Sequence, residues 1–244
     1  DPDAWSAAVA EWRAALAPHA HGIHPNDLYL LAQQLLGGWP VDGNADDFGD
    51  RLRGATIKAL REARQRSDWG VNATAYEDRT SRFIDHALAD RTFHPIREHF
   101  QAIGRRKGLI QLALKLTIPG IPDIYRGAED WEQSFVDPDN RRDLDFAALA
   151  TRLASPSPGR DDKLMLTQTL LHLRRRLPLL FADGSYEPID CGPHTLAFRR
   201  RHGPDEIRVF ADLSPGHTAG IAASGPALPT VAGSAAGPYW VMAG

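Results

Sequence analysis

The stretch Ile118-Pro119-Gly120-Ile121-Pro122, followed at once by Asp123-Ile124-Tyr125 and Arg126-Gly127, constrains the chain most. Helical periodicity runs up to it from Ile96 through Leu114, and two prolines with a glycine forbid its continuation. Asp123-Ile124-Tyr125 reads as a short β-type segment, and Arg126-Gly127 opens a polar loop. Helix, strand and loop in that order form the half-unit of a (β/α)8 TIM barrel, in which the loop after each strand carries the site. One strand cannot close a barrel. The missing strands are therefore expected in sequence before Asp1.

Upstream the pattern is helical. Val9, Trp12 and Leu16 share one face, and Pro18 ends that helix. Asn26 or Asp27 can cap a second helix, which turns Leu28, Leu31 and Leu35 inward and stops at Gly37-Gly38. A third runs from after Asn44 through Phe48, Leu52 and Leu60, with Arg53, Lys58, Arg61, Glu62 and Arg64 expected on a solvated surface. Thr74 to Leu88 is a fourth helix. In the fifth, from Ile96, Gly104 and Gly108 are candidate break points. The Asp-Asp pairs at 46-47 and 161-162 look like helix starts.

Beyond the loop, Lys163 to Leu177 is helical, and Arg174-Arg175-Arg176 complements its C-terminal dipole. After Pro178 the alternation becomes strand-like in Thr195-Leu196-Ala197-Phe198-Arg199 and Ile207-Arg208-Val209-Phe210-Ala211, with His202-Gly203-Pro204-Asp205 as the turn. The stretch 216–237, rich in Gly, Ala, Pro and Ser, is expected to be loosely ordered. The fold class expected is α+β as a fragment: a mostly helical region at 1–95, the last strand-loop-helix of a barrel at 96–178, and a small antiparallel, β-sandwich-like domain at 179–244.

The polar loop is the densest constellation of chemistry. From Glu129-Asp130-Trp131-Glu132 through Val136-Asp137-Pro138-Asp139-Asn140-Arg141-Arg142-Asp143 it combines acids, an amide, arginines and aromatics. Such a mixture suits a sugar, because carboxylates and amides bind paired hydroxyls, arginines donate in a fixed fork, and Trp covers the apolar ring face. Turn chemistry accounts for part of it equally well. Asp137-Pro138-Asp139-Asn140 favours a turn, and Asp139 with Arg142 can form a local ion pair.

Charge excludes some classes of partner. With 28 Lys plus Arg against 31 Asp plus Glu, no electrostatic footprint for nucleic acid or an anionic membrane is expected. No apolar run approaches the roughly 18 residues of a membrane span. The single cysteine, Cys191, suits a reducing, cytoplasmic setting and a packing role. His19, His21 and His24 match no strong metal spacing, and no phosphate-binding glycine loop or paired CxxC appears, so neither metal nor cofactor is expected. The start, Asp1-Pro2-Asp3-Ala4-Trp5, lacks an initiator Met and signal-peptide character and is expected to be an internal cut.

Ile118-Pro119-Gly120-Ile121-Pro122-Asp123-Ile124-Tyr125-Arg126-Gly127-Ala128-Glu129, followed by Val136-Asp137-Pro138-Asp139-Asn140-Arg141-Arg142, closely resembles the last barrel strand and loop of maltooligosyltrehalose synthases, in the α-amylase superfamily. Leu60-Arg61-Glu62-Ala63-Arg64 with Trp69 and Tyr76-Glu77, and Leu170 to Phe181, are similar to the same family. Arg126, Ala128 and Asp143 depart from it, where Gln, a small polar residue and Pro are usual. The resemblance implies an intramolecular transglucosylation that turns the reducing-end α-1,4 bond of a maltooligosaccharide into an α,α-1,1 bond. It implies a retaining mechanism whose Asp nucleophile, Glu acid/base and third Asp all lie upstream, so no catalytic residue is assigned here. The implied sugar-binding residues are Glu129, Trp131, Asp137, Asp139, Asn140, Arg141 and Arg142. The implied partners are a maltooligosaccharide, the rest of the barrel and a trehalose-releasing hydrolase. A non-catalytic carbohydrate-binding module using Trp131, or a helical interaction domain, is the alternative.

Overall fold

The computed structural model describes residues 2–41, 45–70, 74–214, 229–233 and 237–244. The chain divides into two compact units, Asp1–Ile103 with Gln133–Asp143, and Gly104–Glu132 with Leu144–Gly244.

The first unit is helical. It holds α1 (Pro2–Ala15), α2 (Pro25–Gly38), α3 (Phe48–Ala63), α4 (Thr74–Ala89) and the first part of α5 (Phe93–Thr117). The core forms because each helix repeats its apolar residues at three- and four-residue spacing. In α3, Phe48, Leu52, Thr56 and Leu60 are all buried at steps of four. Trp12 is fully buried and meets Phe83 edge-on, with ring centroids 5.8 Å apart. The cap of α2 differs from expectation: Nδ1 of His24 accepts the Asn26 N–H at 3.2 Å, and Pro25 starts the helix. Asp27 is thereby free for a different bond, a two-pronged pair with Arg66 at 2.6 and 2.7 Å.

Several other expectations need adjusting. Gly104 and Gly108 do not break α5, which is continuous from Phe93 to Thr117. The charges of α3 are not simply solvated, since Arg61 grips Glu77 through two hydrogen bonds at 2.9 and 2.7 Å, and Arg53 lies 2.5 Å from Asp85. The third helix, expected to begin after Asn44, begins at Phe48. Asp47 and Asp161 do precede helices, α3 and α7 respectively.

Among the described residues, the second unit combines the rest of α5 with α6 (Phe146–Ala154), α7 (Asp162–Arg176), α8 (Pro178–Asp183) and five strands. These are β1 (Glu187–Pro188), β2 (Thr195–His202), β3 (Asp205–Asp212), β4 (Thr230–Gly233) and β5 (Tyr239–Ala243). They make one sheet in the order β1-β2-β3-β5-β4. All four pairings are antiparallel. Gly203, at φ 56°, turns the β2–β3 hairpin. Phe198, Ile207, Val209, Val241 and Ala243 pack with Leu166, Leu170, Leu173, Leu180 and Phe181 of α7 and α8. The layer against this face is therefore helical, where a second sheet was expected. The half-buried Cys191 packs beside Ala197, Phe210 and Met242, and burial pushes its thiol pKa up.

Thr230–Gly233 is a strand, which corrects the expectation of loose order for that part of 216–237. The rest of that stretch up to 236 lies outside the described residues. Asp123-Ile124-Tyr125 is not in a ladder among the described residues. Its neighbours in the expected barrel would be other strands, and a lone strand has no ladder to join. The segment is held instead by side chains: Lys115 donates to the Asp123 carbonyl at 3.1 Å, and Arg174 to that of Gly120 at 2.8 Å. No described helix is long and apolar enough to cross a membrane.

Candidate functional site

The polar loop falls in two parts, one in each unit. In the second unit, Gly127 takes φ 88° and lets the chain leave the extended segment. A Cβ there would press to 3.1 Å from Glu132 Oε2 and 3.2 Å from Leu144 Cδ1. The Glu129 carbonyl accepts the Thr167 hydroxyl at 3.1 Å, and the Asp130 carbonyl accepts Lys163 Nζ at 2.5 Å. The Asp130 carboxylate pairs with Arg152, which also bonds Asp161 at 2.7 Å. The Ser157 N–H, Arg160 and Arg152 hold Asp161 well below the usual carboxylate range despite burial. Burial lowers the Lys163 pKa, against the pull of Asp130.

Trp131 sits among cations. The Arg105 guanidinium lies 4.6 Å and Lys163 Nζ 5.3 Å from its ring. Gly108 gives it room, since a Cβ there would come within 3.0 Å of its Cζ3. Its Nε1 is buried with no hydrogen-bond partner among the described residues. Cations over an indole face stabilise the ring where it is, so much of its apolar surface is already in use. This explains why Gly108 stands inside α5 without breaking it: the glycine makes space for the indole.

In the first unit, 133–143 is pinned to α2 and α3. Gln133 accepts the Val41 N–H at 2.8 Å and donates to the Gly37 carbonyl at 3.2 Å. Phe135 stacks on Phe48 with centroids 6.1 Å apart. Its ring fills the space where a side chain on Gly38 would be. Asp139 is the hub: its carboxylate accepts the Phe135 N–H at 2.7 Å and Arg51 at 3.1 Å and is ion-paired with Arg142 at 3.1 Å, while its carbonyl accepts Arg142 Nε at 3.2 Å. Arg142 also reaches Asp47 at 3.1 Å. Lys58 donates to the Asp137 carbonyl.

The remaining members are more open. The Asp137 carboxylate lies 2.6 Å from Arg141, with side chains 47% and 70% exposed. Asn140 keeps a buried Oδ1 with no hydrogen-bond partner among the described residues. Of the residues singled out from sequence, Asp137, Asp139, Asn140, Arg141 and Arg142 share one turn, while Glu129 and Trp131 belong to the other unit. Sequence reasoning missed Arg51, Lys58 and Gln133, which hold the turn. Arg51 and Lys58 stand seven residues apart on α3, a spacing that puts both on one helix face. That spacing was the available signal.

No family model matches the chain. A candidate maltooligosyl trehalose synthase of Mycobacterium tuberculosis (strain CDC 1551 / Oshkosh) is 34% identical over 179 residues, covering 70% of this chain and 23% of that protein. A crystal structure of a maltooligosyl trehalose synthase superposes with a TM-score of 0.75 at 30% identity, covering 87% of this chain and 30% of that one. The structure of a hypothetical maltooligosyl trehalose synthase of Sulfolobus tokodaii gives 0.75 at 31% identity, over 88% and 30% respectively. The chain thus spans only 23% to 30% of the length of these relatives. In both sequence and structure, then, it matches the C-terminal portion of maltooligosyl trehalose synthase.

Proposed function

We propose that the chain is the part of an intramolecular transglucosylase that completes and walls its glucan site. The enzyme would convert the reducing-end α-1,4 bond of a maltooligosaccharide into an α,α-1,1 bond. The observation that carries this reading is the superposition on maltooligosyl trehalose synthases over 87% of the chain. The braced turn at 133–143 supports it.

A retaining transfer needs two positioned carboxylates and a covalent glycosyl intermediate. Those acids belong to the upstream part of the barrel. The 133–143 turn contributes position. Asp139, Arg142, Arg51 and Lys58 form its frame, and the exposed Asp137–Arg141 pair, with Asn140, offers acceptors and donors that can trade partners with sugar hydroxyls. A rigid wall on the reducing-end side holds the released glucose for re-attack and keeps water from the intermediate. Glu129 and Trp131 act through their neighbours, the Trp131 ring being packed among Arg105 and Lys163. A trehalose-releasing hydrolase is the class of enzyme that would consume the product, and the cytoplasm is the compartment where the glucan substrate is made.

The test is to give maltopentaose to the 244-residue chain alone and to the chain joined behind the upstream part of a maltooligosyl trehalose synthase. Loss of reducing ends is expected only in the joined protein. A non-reducing product from the chain alone would overturn the assignment.

A further inference from the structure

The turn between α3 and α4 carries Trp69, whose side chain is 59% exposed. Trp5, Trp12, Trp39, Trp131 and Trp240 are all more buried. An exposed indole forgoes a large apolar contribution, so its setting is informative.

That setting is rigid. Arg61, at the end of α3, places its guanidinium 5.1 Å from the Trp69 ring centroid. The same guanidinium is fixed by Glu77 at 2.9 and 2.7 Å, and Glu77 also accepts the Ser67 hydroxyl. Arg66 is locked onto Asp27 at 2.6 and 2.7 Å, and Asp27 accepts the Tyr76 hydroxyl as well. Past the indole, the Gly70 N–H donates to Asp68 at 2.6 Å. Arg64 opens the turn at φ 51°, the one positive value outside glycine among the described residues. Arg64 is the left-handed C-cap of α3, and bonds at Arg66, Ser67 and Gly70 hold the chain on both sides of the indole. With one side taken by Arg61, the accessible part of the indole is a flat surface that costs no ordering on binding.

The surroundings select the ligand. Arg64 and Gln65 of the turn, and Glu62 at the end of α3, are exposed and polar, and among the described residues 64–70 Trp69 is the large apolar side chain. A protein interface centres on a cluster of apolar anchors. A single aromatic face beside polar side chains, as found among the described residues of the turn, instead fits a pyranose ring, which has one apolar C–H face and a belt of hydroxyls. We propose that Trp69 is a stacking platform for an α-glucan chain, with Arg61 as its backing. The choice of α-glucan over other sugars rests on the function proposed above; the platform rests on the geometry of the turn.

The test is native electrophoresis of the whole chain through gels with and without amylopectin. Wild type should be retarded by the glucan, and maltoheptaose should relieve the retardation. Trp69→Leu keeps apolar bulk but loses the flat face, and should bind on the order of five- to tenfold more weakly. Trp69→Phe should keep an intermediate retardation. Unfolding midpoints in urea check that both variants are folded, and should Trp69→Leu fail that check, Trp69→Tyr against Trp69→His gives the same contrast. Unretarded wild type, or full retardation of Trp69→Leu, overturns the platform. Transglucosylation is not read in these gels, so failure of the enzymatic reading appears in the maltopentaose assay alone.

Discussion

The Arg51 guanidinium stands 3.1 Å from the Asp139 carboxylate, with both side chains almost out of solvent at 11% and 12% exposure. Asp139 also takes the Phe135 N–H, so its loss orphans a backbone donor and leaves two arginines short of an acceptor. Asp139→Ala should cost about 1–3 kcal/mol of unfolding free energy. Arg141→Ala removes only an open pair and should cost less than about 1 kcal/mol. Urea denaturation of the two variants side by side checks the ordering, and equal costs would contradict the framing role of Asp139.

Adjacent glycines at the end of α2 should respond in opposite directions. Gly37 has nothing within reach of an added Cβ, whereas at Gly38 that atom would collide with the Phe135 ring. Gly37→Ala should stabilise by about 0.5–1 kcal/mol, as expected for a helical glycine freed of constraint. Gly38→Ala should destabilise and expel Phe135, raising protease cleavage within 133–143. Limited proteolysis followed by mass spectrometry reads that directly.

Arg200 has only 1% of its surface exposed and faces no carboxylate in its hydrogen bonds. It donates to the carbonyls of Thr117 at 3.4 Å and of Phe181, Gly184 and Ser185 at 3.3 Å. Two of these end α5 and α8, where helix dipoles favour a cation. Burial and the nearby Arg174 lower its pKa, yet a guanidinium keeps its charge. Arg200→Met should cost about 2–4 kcal/mol by orphaning those carbonyls. Arg200→Lys should rescue little, since one ammonium cannot span the fork. Thermal unfolding of the three proteins gives the comparison.

Acid should weaken the first unit through Asp27 and Glu77. Burial raises the Asp27 pKa, but Arg66 and Tyr76 outweigh it and the net value is lowered from 3.8. Arg61 and Ser67 lower that of Glu77 from 4.5, against burial. A depressed folded-state pKa means the stabilisation is complete above the unfolded-state value and is lost as pH falls through the folded one. The urea midpoint should therefore be flat near neutrality and fall below about pH 4.5. Asp27→Asn and Glu77→Gln should each start lower and show a shallower acid decline; an unchanged slope in both would contradict this.

Much of this architecture is legible in the sequence where period and packing agree. Phe48, Leu52 and Leu60 give α3, and Gly203-Pro204 gives the β2–β3 turn. Phe146–Ala154 was hidden because its cap, Asp145, reads as one more acid of a polar loop, although its side chain accepts the Ala148 N–H at 2.8 Å. Thr230–Gly233 was hidden by small residues of weak strand preference, which tertiary pairing with β5 overrides. In the candidate site, residue types pointed to a polar, sugar-like surface, but Asp139 and Arg142 spend their bonds on the frame. Long-range partners such as Arg51 and Lys58 leave no local trace, because what they bind is decided by chain return over more than seventy residues.

The order in which the chain is made gives the split loop a further meaning. The helices within 1–103 are synthesised before 133–143, with Gly38 and Phe48 presenting the notch that Phe135 fills. The closing piece arrives only with 133–143, after the intervening segment 104–132, which belongs to the other unit, has been synthesised. Until then the nascent first unit is open at one apolar seam, the kind of exposure that invites chaperones or aggregation. Closure of the first unit thereby waits on synthesis of a segment that belongs to the second.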